Sequence, residues 1–90
     1  MAADISITKP HSLDKAEVKK RIDPILRRMK TRAGFVGEWS GDTYAVTRPA
    51  KGQLTVSDKD VRIELVLGLV LRPMRREIEQ EIRAALDAAF

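Results

Sequence analysis

The chain contains no cysteine, which excludes disulfides, thiolate nucleophiles and cysteine-ligated metals. That composition fits a reducing compartment, and a cytoplasmic location is the expectation. Aromatic residues are scarce at 4%, so a core has to be built from aliphatic side chains. There is one histidine, His11, and no second nucleophile or metal ligand can be assigned beside it; a local structural role at a helix start is the simpler reading. The five glycines form neither a G-x-G-x-x-G pattern nor a Walker sequence, so phosphates find no Gly-rich cradle. Long hydrophobic runs are also missing. The apolar stretch Leu65 to Leu71 is seven residues, against about 20 for a membrane-spanning helix. The N-terminus lacks a basic segment followed by an apolar one, so no secretory signal is expected.

The acidic residues do not assemble a site either. Glu77, Glu79 and Glu81 alternate by two on a helical segment, which turns them to different faces. Glu77 and Glu81 share a face but sit among Arg75, Arg76 and Arg83, where surface ion pairs are expected. Asp58 and Asp60 lack the spacing and length of a calcium loop. The expectation is a protein with no catalytic set, metal or cofactor, hence not an enzyme.

What is present is a 90-residue chain, 43% hydrophobic and 33% charged. This is an ordinary composition for a globular protein, sized for one domain over residues 1–90. The formal charge is +4 and unevenly spread. Ser12 to Ala33 holds eight basic and three acidic residues, a local balance of 8 − 3 = +5. Lys19, Lys20, Arg27, Arg28, Lys30 and Arg32 form a basic face there, which nucleic acid, an anionic surface or an acidic partner could engage. A solvated helix face explains the same residues. Trp39 and Tyr44 could stack on bases if they faced outward from a sheet.

The pattern along the chain predicts β-α-β-β-β-β-α. Asp4 to Thr8 alternates with Ile5 and Ile7 on one side, a short strand broken by Lys9-Pro10-His11. Ser12 is the expected N-cap of the first helix, with Asp14 complementing its positive end. Val18, Ile22, Ile25, Leu26, Met29 and Ala33 form one apolar stripe. Pro24 falls inside it and predicts either one kinked helix or two short ones; the continuous apolar phase favours a kink. Gly34 is the expected C-cap. Strands then follow over Phe35–Trp39, around Tyr44 and Val46, around Leu54 and Val56, and over Val61–Leu67. Ser40-Gly41-Asp42, Arg48 to Gly52 and Ser57 to Asp60 connect them as turns. The last helix starts near Pro73, with a stripe of Met74, Ile78, Ile82, Ala85, Leu86 and Ala89. Both helices are one-sided, so the expected architecture is α+β in two layers, with an antiparallel sheet of about five strands and both helices on one face. A hollow under the helices is one place for an apolar ligand.

The segment "VRIELVLGLVLRP", Val61 to Pro73, departs from this grammar. It opens as a half-buried strand and then becomes apolar on both sides. Val61, Ile63, Leu65 and Leu67 suffice for the face under the helices. Val66 points to the other face, and Leu69, Val70 and Leu71 crowd the corner before the helix. These residues with Met74 are the candidate contact patch, since contiguous exposed apolar atoms usually mark a binding surface. Core and corner packing is the competing account.

The chain resembles the small bacterial polyhydroxyalkanoic acid system proteins. The likeness lies in "ADISI" at Ala3 to Ile7, "HSL" at His11 to Leu13, "EWSGD" at Glu38 to Asp42, "KGQLTVSDKDVRIELVLGLVLRP" at Lys51 to Pro73 and "IEQEIRAALD" at Ile78 to Asp87. The Gly-x-Leu-x-Val strand and the Leu-Gly corner are its most specific parts. The resemblance implies an accessory protein of polyhydroxyalkanoate storage at the granule surface, with that surface or a granule protein as partner. It carries over no catalytic residue. Pro24 departs from the uninterrupted first helix associated with the family. Self-association into a homo-oligomer is another way to cover the patch, and a nucleic-acid-binding regulator using the basic first helix is the alternative function.

Overall fold

The computed structural model describes residues 3–48 and 50–90. Its elements are β1 (Ile5–Pro10), α1 (Lys15–Ala33), β2 (Val36–Ser40), β3 (Thr43–Arg48), β4 (Lys51–Val56), β5 (Asp60–Val66), a 3-10 turn (Arg72–Met74) and α2 (Arg75–Ala89). The strands form one antiparallel sheet in the order β1-β5-β4-β3-β2. The expected α+β architecture is therefore the observed one. Consecutive hairpins account for β2 to β5. The chain's first strand closes the sheet by pairing with its last, Ile5 opposite Leu65 and Lys9 opposite Val61.

Side-chain alternation decides which face the helices cover. Ile5 and Ile7, Leu54 and Val56, and Val61, Ile63 and Leu65 point one way and are buried. Val18, Ile22 and Met29 of α1 and Ile78, Ile82 and Leu86 of α2 pack onto them as one aliphatic core. On the opposite face Ser6, Thr8, Gln53, Thr55, Arg62 and Glu64 face away from the helices, a polar surface that needs no cover. The helices run antiparallel. Arg21 donates to the carbonyl of Ala89 at 2.9 Å near one end, and Arg32 pairs with Glu81 toward the other.

Several boundaries differ from expectation, each for a local reason. The N-cap of α1 is Asp14, with extended φ/ψ and no side-chain cap bond, not Ser12. The Leu13 N–H is instead taken by the Nδ1 of His11 at 3.0 Å, which keeps residues 11–13 out of the helix. β1 runs through Pro10 rather than stopping at Thr8. It is an edge strand, where a missing N–H leaves no ladder bond broken. Helix α1 is continuous through Pro24, which lies on its exposed side. Gly34 ends α1 at φ 72, with N–H bonds from Gly34 to Lys30 O and from Phe35 to Met29 O. This left-handed closure favours glycine. β2 starts after the buried Phe35, at Val36. Pro49, in the expected second turn, lies outside the described residues. β5 ends at Val66, so Leu67 is buried beyond the strand rather than within it. Met74 belongs to the 3-10 turn and is exposed, so the stripe of α2 begins at Ile78.

Register fixes what gathers at each end of the domain. Val66 pairs with Lys51, and Val36 with Arg48. The starts of β1, β2 and β4, the ends of β3, β5 and α1, and the start of α2 therefore share one end, called here the corner end. The His11 segment, the Asp42 turn and the Ser57–Asp60 turn share the other.

Candidate functional site

The Leu67–Leu71 corner is built in three steps. Leu67 is 1% exposed and plugs the core just past β5. Its N–H donates to the Asp4 carboxylate at 2.8 Å, which latches the corner to the start of β1. Gly68 then opens a tight turn, closed by the Leu71 N–H donating to the Gly68 carbonyl at 3.0 Å. Leu69 and Val70 hold the two central positions and are 82% and 86% exposed. Turn chemistry favours Gly, Pro, Asn, Asp or Ser there, for backbone reasons that two aliphatic residues do not meet. Val66 at 46% and Met74 at 45% extend the apolar surface. Leu71 does not belong to it as expected: it is half-buried and packs against the core, because the turn closed on Gly68 brings the chain back toward it. The described patch is thus Val66, Leu69, Val70 and Met74.

Arginines border this patch along the chain. Arg72, Arg75 and Arg76 follow it in sequence and are exposed. Arg75 and Arg76 open α2, where the positive end of the helix dipole disfavours positive side chains. Helix stability alone would select acidic residues at those positions.

The basic face of α1 divides. Lys19 lies 2.8 Å from Asp42 and 5.4 Å above the Trp39 ring, and Arg27 lies 2.8 Å from Asp23. Arg32 pairs with Glu81. Lys20, Arg28 and Lys30 are exposed and make no ion pair among the described residues. Hydrogen bonds from Lys19 and then Lys15 hold the Asp42 carboxyl below its ordinary value. Asp42, and then Asp58, hold Lys15 above its own. These pairs fasten the start of α1 to the β2–β3 turn. Trp39 and Tyr44 pack edge to face at 5.4 Å on the helix side of the sheet. The outward stacking platform considered from the sequence is not formed.

His11 uses both ring nitrogens. Nδ1 accepts from the Leu13 N–H, and Nε2 donates to the Ser57 carbonyl at 2.8 Å. The ring thereby ties the β1–α1 connection to the β4–β5 turn. His11→Ala is expected to cost about 1–3 kcal/mol by leaving two part-buried backbone groups without partners. Urea unfolding measures this, and an unchanged midpoint would remove the structural role. The apolar hollow between α1 and the sheet, lined by Ile25, Leu26, Met29, Phe35, Tyr44 and Val46 among others, measures about 50 Å³. Ligand pockets run to roughly 300–1,000 Å³, so this hollow is a packing gap. Among the described residues no cluster of acidic or histidine side chains is arranged to hold a metal, and no helix is long and apolar enough to cross a membrane.

Fold and corner together define a small two-layer α+β domain that displays an apolar, cation-flanked turn. The chain belongs to the family described as "Putative polyhydroxyalkanoic acid system protein", which it matches over residues 5–90. No curated protein and no solved structure matches it.

Proposed function

We propose that this protein is a non-enzymatic accessory factor of polyhydroxyalkanoate storage, acting in the cytoplasm and attaching to the granule surface through the Leu69–Val70 turn. The observation that carries this reading is the exposure of two aliphatic residues at turn positions where local structure gains nothing from them. Family membership supplies the storage context. Full burial of an aliphatic side chain contributes about 1.5–3 kcal/mol, so two tip residues give weak, reversible attachment once association costs are subtracted. Durable coating then relies on many copies on one granule. The nucleic-acid reading draws less support. Lys19, Arg27 and Arg32 are occupied by the protein's own carboxylates, and the aromatic rings face the helices.

Co-sedimentation with purified granules tests the proposal. The double variant Leu69→Asp/Val70→Asp is expected to lose at least about tenfold in affinity, the equivalent of about 1.4 kcal/mol. Equal binding by the folded variant overturns it.

A further inference from the structure

We infer that the surface the turn enters is an anionic lipid interface: an apolar interior beneath negatively charged headgroups. The inference rests on the attachment reading above and names what is attached to. A bare polyester surface or an apolar protein groove would need the aliphatic tip alone. The corner end carries more than that. Lys30 comes from the last turn of α1, Arg48 and Lys51 from the facing ends of β3 and β4, and Arg72, Arg75 and Arg76 from the approach to α2. These six cations belong to three separate stretches of sequence, which the strand register and the antiparallel helices bring to one end. All six are exposed, and none makes an ion pair among the described residues.

The carboxylates at that end offset them only in part. Glu81 is paired with Arg32; Asp4, which accepts the Leu67 N–H, Glu77 beside Arg75 and Arg76, and Glu64, which lines one hollow with Lys51 and Val66, leave the six cations in excess. The far end is richer in acids: Asp42 engages Lys15 and Lys19 and Asp87 engages Lys9, while Lys59 and Arg62 are exposed there without an ion pair among the described residues. The larger group of unpaired cations therefore coincides with the apolar tip. Two exposed aliphatic residues at an end that also carries six unpaired arginines and lysines match an interface in both of its layers: aliphatic atoms to acyl chains, cations to anionic headgroups. Arg75 and Arg76 stand against the helix dipole, a placement that an external negative surface would turn from unfavourable to favourable.

The test is flotation with vesicles of phosphatidylcholine alone and of phosphatidylcholine with roughly one-third phosphatidylglycerol, at low and high salt. Wild type is expected to bind the anionic vesicles at least about tenfold more tightly than the neutral ones, with the preference fading as salt screens it. Leu69→Asp/Val70→Asp and Arg75→Glu/Arg76→Glu should each reduce anionic-vesicle binding by about tenfold or more. Both variants alter exposed residues, and far-UV circular dichroism verifies their folding. Equal affinity for the two vesicle types, no vesicle binding, or full binding by the tip variant each overturns the inference. Parallel binding to granules and to lipid-free polyester particles separates this failure from that of the attachment reading. Tip-dependent granule binding without vesicle binding leaves attachment standing and removes lipid as its target, and a loss of that binding after protease treatment of the granules assigns the target to a protein. Tip-dependent vesicle binding without granule binding does the reverse.

Discussion

Leu67→Ala is expected to remove about 2–5 kcal/mol of stability, while Leu69→Ala, two positions later in the same apolar run, changes it by less than about 0.5 kcal/mol. The two leucines differ in surroundings rather than in chemistry. Leu67 is 1% exposed, fills the end of the core, and has its N–H fixed by Asp4. Removing its side chain leaves a cavity that the adjoining sheet and helix can close only in part. Leu69 sits at the tip of the turn in water, and its side chain contributes little to folding. A domain of this length has a total stability on the order of 5–13 kcal/mol, so the Leu67 variant is a large fraction of the way to unfolding. Urea titrations of both variants measure the contrast. Similar midpoints would mean that the run is packed uniformly and would take the exposed turn away.

Gly52→Ala is the second large effect, and its sign is informative. Glycine weakens a strand interior, so strand preference alone predicts that alanine stabilises. The geometry predicts the reverse. A Cβ on Gly52 would lie 2.3 Å from the Glu64 carbonyl oxygen and 2.9 Å from the Leu65 Cα. Both are backbone atoms of β5, the strand that leads into the corner, and neither can rotate aside. Relief requires β4 and β5 to separate, and the expected loss is about 3 kcal/mol. Thermal or denaturant unfolding settles the sign; a stabilised variant would mean that the two strands lie further apart than described.

Much of the fold was legible because it is written in short-range terms. Alternating residues gave the strands, polar turns gave the hairpins, and Gly34 gave the end of α1. The cap of α1 at Asp14 is not legible locally, because His11, which takes the Leu13 N–H, is itself held by Ser57, 46 positions away. Within Leu65–Leu71 the sequence identified an excess of apolar residues but not its division. Once the two-residue period of β5 ends at Val66, no periodicity says that Leu67 and Leu71 turn inward while Leu69 and Val70 turn out. The cations of the corner end were the least legible. Sequence counting concentrates positive charge in Ser12 to Ala33, yet ion pairs engage Lys15, Lys19, Arg21, Arg27 and Arg32. The unpaired group at the corner end combines Lys30 with residues from β3, β4, the 3-10 turn and α2. No local pattern encodes it, because it depends on strand order.

The pairing of β1 with β5 also bears on how the chain assembles. Strands β2 to β5 are joined by adjacent hairpins, so their pairings are local in sequence. Ile5 and Ile7 have no partner until some 60 residues later, when Ile63 and Leu65 are in place. The first strand therefore docks only after a long loop closure, which slows folding. Until it does, Asp4 cannot reach Leu67, and a nascent molecule lacks the fastening that shapes its apolar turn.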